Sequence, residues 1–143
     1  MISRPDMKIK LDDGAFAPIR AHDTDAGLDL RSPVSKTIEA GSSATIDTGI
    51  HVEIPQCCFG KVESKSGLNV NHSIVCCGGV IDEGYTGSIV VKLYNLSDKD
   101  YQIQPGDKIA QLVIQPCFQP RLWLANSLEE TERGDNGFGS SGK

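Results

Sequence analysis

The sequence predicts an all-β domain, a sandwich or a barrel, and three observations carry that prediction. Apolar and polar residues alternate with period two over several short segments, and turn-forming pairs recur between them. No long segment shows the 3.6-residue period of an amphipathic helix. Strands of this kind bury one face and leave the other to water, so a set of them closes a core without helices.

Taken in order, Met7, Ile9 and Leu11 alternate with Lys8 and Lys10, and Asp13-Gly14 supplies the turn behind them. Ala26-Gly27-Leu28-Asp29-Leu30 places an acidic residue between apolar neighbours. After the Ala40-Gly41 turn comes the clearest alternation. Ile46, Thr48, Ile50, Val52 and Ile54 alternate with Asp47, Gly49, His51 and Glu53, which predicts one half-buried strand. Residues 61–68 lead from a strand into a short helical turn expected over 66–72, with Ser66 as its N-cap. Gly78-Gly79 and Glu83-Gly84 frame a hairpin. Residues 89–96 and 108–114 are rich in apolar and β-branched residues and read as two further strands, separated by turns at Ser97-Asp98 and Pro105-Gly106. Residues 1–125 are expected to form the β domain, and residues 126–143, poor in apolar groups, a flexible C-terminal arm.

A chain of 143 residues suits one domain with a modest core. The net charge of −5 disfavours binding to a nucleic-acid backbone, so a polyphosphate ligand must be held by local cations, backbone donors or a metal ion. No stretch is long and apolar enough to cross a membrane, and MISRPDMKIK lacks the apolar core of a signal peptide. A cytoplasmic location is therefore expected. Two of the cysteine pairs, Cys57-Cys58 and Cys76-Cys77, are adjacent, and Cys117 stands apart. Neighbours on a strand face opposite ways and match a zinc site poorly, so these residues read as reduced and half-buried. The sequons at Asn71 and Asn95 have no meaning in a cytosolic chain, and without a secretion signal Arg133-Gly134-Asp135 is a weak adhesion motif.

The chemistry concentrates in a few segments. The tail RGDNGFGSSGK combines glycines, which let backbone N–H groups approach an anion, with the hydroxyls of Ser140 and Ser141. Arg133 can pair with phosphate oxygens in a fork, and Phe138 offers a face on which a base can stack. Taken alone the tail reads more readily as a disordered terminus than as a lid over a nucleotide; the rest of the chain reverses that preference. The hairpin GVIDEGYTG puts Asp82 at a strand end, where a carboxylate can orient a water, and Gly78 and Gly79 let a flat ligand lie against bare backbone. Lys65, Ser66 and Gly67 stand at the start of the short helix, where free N–H groups favour phosphate. Asp29 and Gln111 are unspecific by themselves. Asp23 and Asp25 beside His22 read as a solvated loop rather than a metal cluster.

In this order the segments AGLDL, SKSGL, GVIDEGYTG, GDKIAQL and RGDNGFGSSG resemble the five motifs of the trimeric deoxyuridine triphosphatase (dUTPase) family over almost the whole chain. The chain departs from the family pattern at Leu28 in place of an aromatic, Lys65 in place of arginine, Asn136 in place of glycine and Ser141 in place of threonine. Lysine at 65 keeps the charge but loses the planar fork.

The resemblance implies a jelly-roll-like β-barrel, a homotrimer with shared sites, and hydrolysis of dUTP to dUMP and pyrophosphate. It implies that Asp82 activates the water that attacks the α-phosphorus, with Ser66 and Gln111 in the catalytic set. Tyr85 packs under the deoxyribose, and Gly79, Val80, Ile81 and Val90 lie about the uracil. Lys65, Ser66 and Gly67 hold phosphates. Mg2+ sits mainly on the triphosphate, reached through waters by Asp29 and Gln111. Phe138 stacks on the base while Arg133, Gly139, Ser140 and Ser141 close on the γ-phosphate. Two rivals share the nucleotide chemistry: a dCTP deaminase of the same fold, and a nucleotide-sensing regulatory module.

Overall fold

The computed structural model describes residues 4–137. Among these, strands dominate: β1 (Ile9–Leu11), β2 (Gly27–Arg31), β3 (Lys36–Ile38), β4 (Ser43–Asp47), β5 (Ile50–Val52), β6 (Cys58–Glu63), β7 (Ile74–Cys76), β8 (Val80–Ile81), β9 (Val90–Asn95), β10 (Tyr101–Ile103) and β11 (Lys108–Pro116). One short helix, α1 (Ser66–His72), interrupts them. The strands pair antiparallel in four small sheets, ordered β2-β11-β6-β8, β4-β9-β7, β1-β5 and β10-β3. The result is the jelly-roll-like β fold expected, with the inward residues of the sheets meeting in one core.

The period-two pattern is legible in burial. Ile46, Thr48, Ile50, Val52 and Ile54 are all buried, while Asp47 and Glu53 face water. The segment is nevertheless two strands and not the single one expected. β4 pairs with β9 and β5 with β1, and the chain changes sheets at Gly49, whose φ is +66°. Such a backbone favours glycine, and a Cβ there would also come within 3.0 Å of the Ala15 Cβ. Thr48 secures the corner, donating from Oγ1 to the Ile89 carbonyl at 2.7 Å and accepting from the Ile50 N–H at 3.2 Å.

Leu30, Ile38, Ile46, Ile50, Ile89, Leu93, Ile103, Ile109 and Leu112 are almost wholly removed from water. Each such side chain contributes about 1.5–3 kcal/mol relative to exposure. Asn95 is buried among them, and its Nδ2 donates to the carbonyls of Ile38 (2.9 Å) and Lys99 (2.7 Å). Its place is structural, which disposes of the sequon read there.

α1 spans the residues predicted for it, but its N-cap is Lys65 and not Ser66. Lys65 has extended dihedrals (φ −80°, ψ 125°) and makes no side-chain cap hydrogen bond; Ser66 is already helical. The Lys65 side chain is committed instead to Asp29, and that tertiary partner has no signature in the local sequence. After Pro116 the chain runs on through 117–137 without strand or helix, and Phe118, Leu122, Trp123, Leu124 and Leu128 are exposed.

Candidate functional site

One group of predicted residues gathers where β2, β11 and β6 lie side by side. Register places Asp29 opposite Gln111, and Gln111 opposite Glu63. The Asp29 backbone is fixed further by its N–H, which donates to the Ile19 carbonyl at 2.7 Å. Gln111 donates from Nε2 to the Ser64 carbonyl at 3.0 Å, and its Oε1 lies over Gly27, where a Cβ would come within 2.1 Å of it. Any side chain at 27 would therefore displace Gln111. Ser64 is held in turn by Cys76, accepting from its N–H at 2.8 Å and donating to its carbonyl at 3.2 Å.

Asp29 is 3% exposed, and a lone carboxylate at that depth would be strongly destabilising. Two cations compensate it. Lys65 hydrogen-bonds Oδ1, and Lys108 Nζ stands 2.8 Å from Oδ2. The two ammonium groups thus take one carboxylate oxygen each. Burial alone pushes the Asp29 carboxyl up, but the hydrogen bonds and charges of Lys108 and Lys65 outweigh it and hold the group below its ordinary 3.8. A lowered carboxylate contributes stability above its ordinary value and loses it as pH falls through the lowered one, so this cluster is fully formed at neutral pH. Ser66 and Gly67 follow Lys65, both exposed in the first turn of α1.

A second group stands on the hairpin after β8. Gly78 has no space for a side chain, since a Cβ would come within 2.0 Å of the Val62 carbonyl oxygen. That contact and the Val62 N–H donating to the Gly79 carbonyl (3.3 Å) lay the strand closely along β6. Val80 is exposed, while Ile81 is buried, so Ile81 can offer a ligand only its backbone. Asp82 emerges into solvent directly after it, in a turn closed by the Tyr85 N–H donating to the Asp82 carbonyl at 3.0 Å. Tyr85 folds over Gly87 and donates its hydroxyl to the Ser88 carbonyl at 2.9 Å; a Cβ on Gly87 would come within 2.4 Å of the phenol oxygen. Val90, half exposed, opens β9 opposite Asp47.

The hairpin is gripped from both sides. Glu83 Oε2 accepts the Cys57 N–H at 3.0 Å, and His51 Nδ1 contacts the Thr86 carbonyl at 2.8 Å. Ser88 Oγ donates to Asp47 Oδ1. Glu83, His51, Asp47, Ser64 and Lys108 were absent from the sequence-based site. Lys108, Glu83 and Ser64 carried a signal, standing inside GDKIAQL, GVIDEGYTG and SKSGL; His51 and Asp47 look like ordinary polar positions of an alternating strand.

The groups touch at Val62, whose N–H donates to the Gly79 carbonyl one residue before Glu63, but Asp82 and Lys65 lie toward opposite ends of β6. Register puts Ile81 opposite Gly60, five positions before Lys65, which is about 16 Å along a strand. Arg133 lies in a turn of its own, with Nε donating to the Asn136 carbonyl at 3.0 Å. Phe138, Gly139, Ser140 and Ser141 lie outside the described residues. The His22 loop is solvent-facing as expected: Asp25 Oδ2 accepts the His22 N–H at 2.9 Å, and both side chains are substantially exposed. Among the described residues no three His, Cys, Asp or Glu side chains cluster as metal ligands, no helix is long and apolar enough to cross a membrane, and all five cysteines are free.

Comparison with known proteins gives one consistent result. The deoxyuridine 5'-triphosphate nucleotidohydrolase of Clostridium acetobutylicum is 43% identical over 135 residues, 93% of each chain. The mouse enzyme of the same name is 40% identical over 94% of this chain and 83% of its own. Among solved structures, the dUTPase of Staphylococcus bacteriophage 80alpha with dUPNHPP superposes with a TM-score of 0.90 at 32% identity, covering 98% of this chain and all of that one. A mutant dUTPase of phage phi11 of S. aureus, described with a structural Mg(II) ion, gives a TM-score of 0.81 at 29% identity over 88% of this chain and all of that one. The dUTPase family profile matches residues 14–142, and with the motifs standing on one jelly-roll-like frame the chain belongs to the dUTPase family.

Proposed function

We propose that this protein hydrolyses dUTP to dUMP and pyrophosphate in the cytoplasm, lowering dUTP and supplying dUMP for thymidylate synthesis. The observation that carries the reading is the exposed Asp82 carboxylate at the end of β8, beside a glycine-backed strand edge and the folded Tyr85 ring. A flat pyrimidine can lie against the backbone of Gly79, Val80 and Ile81, with Val90 beside it. Tyr85 then stands under the sugar and leaves no room for a 2′-hydroxyl. A thymine methyl is excluded sterically by the close backbone, and cytosine by its mismatched hydrogen-bond edge, worth up to about 10⁴-fold.

In that pose Asp82 accepts the proton of the water that attacks the α-phosphorus. Phosphoryl transfer depends on position and charge more than on covalent chemistry, and Lys65, Ser66 and Gly67 supply both to the phosphates. Gln111, held over Gly27, keeps its amide fixed beside them. Magnesium fits the chemistry of this donor set, a carboxylate held ionised at Asp29 beside the Gln111 amide, because Mg2+ takes oxygen ligands and retains several waters when bound. Asp29 and Gln111 are the residues that would hold it through waters, and the ion would neutralise charge on the triphosphate. Lys65 then exchanges its ion pair with Asp29 for the phosphates.

The separation of Asp82 from Lys65 along β6 supports sites built from more than one copy, and so do the exposed side chains of Phe118, Leu122, Trp123, Leu124 and Leu128, which in a monomer would stay in water. A homotrimer with shared sites joins them, with residues 126–143 as the arm that closes over a neighbour. That arm can reach about 60 Å if extended. Refolding Asp82→Asn protein together with protein lacking residues 131–143 should therefore restore part of the activity that neither has alone. A monomer by sedimentation, or no recovery, would count against shared sites.

Steady-state assay against the deoxynucleoside triphosphates and UTP tests the activity itself. dUMP and pyrophosphate are the expected products. Ammonia released from dCTP would point to the deaminase, and binding without turnover to the sensing module. Tyr85→Phe should keep the preference for dUTP over UTP, because the ring and not the hydroxyl blocks the ribose. Tyr85→Ala should lose it; if that variant still rejects UTP, another residue guards the sugar.

A further inference from the structure

The two ring nitrogens of His51 both face groups that can only accept. Nδ1 lies 2.8 Å from the Thr86 carbonyl oxygen and Nε2 lies 3.0 Å from Asp12 Oδ2. Neutral imidazole carries one N–H, so it can satisfy one of these contacts and must oppose a lone pair at the other. Both are met only by the imidazolium. We propose that His51, as an imidazolium, is a positioning residue that clamps the hairpin carrying Asp82 and Tyr85 against β5. The proposal rests on the reading of that hairpin as the nucleotide site.

The clamp is placed where it can act. Tyr85 and Thr86 are consecutive, so a shift of the Thr86 carbonyl is felt at the ring that meets the sugar. The opposite anchor, Glu83 to the Cys57 N–H, does not involve His51, and the Ser88 to Asp47 bond holds the hairpin's return limb. Loss of the proton leaves one N–H for two acceptors, so either the Thr86 contact itself or the Asp12 anchor that fixes the ring is lost, and in both cases the hold on Tyr85–Thr86 weakens while the two ends remain fixed. The side chain of His51 is 22% exposed, enough to exchange protons with solvent.

The charged groups around the ring favour this state. Asp12 faces it from the turn after β1 and Asp47 from the end of β4; Lys10 on β1 opposes the charge, and Lys8 and Glu53 are paired with each other at 3.0 Å in the adjoining groove. The Thr86 carbonyl and then Asp12 hold the His51 proton above its ordinary 6.5, against the opposing effects of burial and Lys10. A raised pKa means the clamp is complete below about 6.5 and is lost as pH rises through the folded-state value.

NMR titration of the full-length protein tests this directly. The His51 ring should titrate above 6.5, and the amides of Tyr85, Thr86 and Gly87 should shift with the same midpoint, whereas that of Glu83 should not. Asp12→Asn, which removes the anion without touching the hairpin, should lower both midpoints together. In kinetics, kcat/KM for dUTP should decline through that midpoint mainly through KM, and the dUTP over UTP preference should narrow. His51→Gln should show the narrowed preference at all pH values and lack that limb. Hairpin amides that ignore the His51 titration, or a midpoint unmoved by Asp12→Asn, would overturn the clamp. Failure of dUTP turnover in the unmodified protein would instead overturn the functional reading and leave the NMR result standing on its own.

Discussion

Asp82→Asn is expected to bind dUTP with little change and to lose at least about 10²-fold in turnover. Asparagine keeps the shape of the side chain and one acceptor oxygen, so the pose of a water beside it is retained. What it lacks is the capacity to take the proton as the water attacks. The position makes this a clean substitution. Asp82 is exposed and follows the last residue of β8, and the turn behind it is closed by backbone, through the Tyr85 N–H and the Asp82 carbonyl. Neither the turn nor the core depends on the carboxylate, so melting should be unaffected. Isothermal titration with a non-hydrolysable dUTP analogue, alongside single-turnover hydrolysis, separates binding from chemistry. Near wild-type kcat in this variant would remove Asp82 from the role of general base.

Removal of residues 131–143 is expected to leave a folded oligomer with unchanged melting and to cut dUTP turnover sharply. The described part of this segment lies outside the core, and its internal hydrogen bonds, such as Arg133 Nε to the Asn136 carbonyl, are local. Its composition provides little to bury, so closing it costs conformational entropy that only ligand contacts can offset. A Phe138 stack on the base contributes about 1–3 kcal/mol, and Arg133 and Ser140 add donors to the γ-phosphate. dUMP has no γ-phosphate, so its affinity should barely change on truncation, and closure should reverse on product formation. Phe138→Trp gives the optical probe: its fluorescence should respond to a non-hydrolysable dUTP analogue and much less to dUMP. An equal response to both would show that the γ-phosphate does not govern closure.

Local chemistry made much of this legible in the chain. Alternation from Ile46 to Ile54 was read because burial of one face has a period of two in any strand, whatever it pairs with. The hairpin at Asp82 was read because glycine pairs and an acidic turn state their backbone needs directly. The corner at Gly49 was not, since one glycine in an alternating run looks like a polar-side position until its φ and its sheet partners are known.

The site divides in the same way. The family motifs, the all-β class and the acidic hairpin with its aromatic are written in the chain as local pattern, while the phosphate and metal roles came to Lys65, Ser66, Gly67, Asp29 and Gln111 through the family resemblance. Long-range packing alone fixes that Lys65 caps α1 while its side chain pairs with Asp29, that Lys108 is the second cation on that carboxylate, and that His51 bridges Asp12 and the hairpin. It also holds Asp82 and Lys65 apart within one chain. The physical reason is range. Turn chemistry and strand period act over a few residues and are written where they act. A buried ion pair or a shared imidazole joins residues about 35–40 positions apart, brought together by sheet register alone.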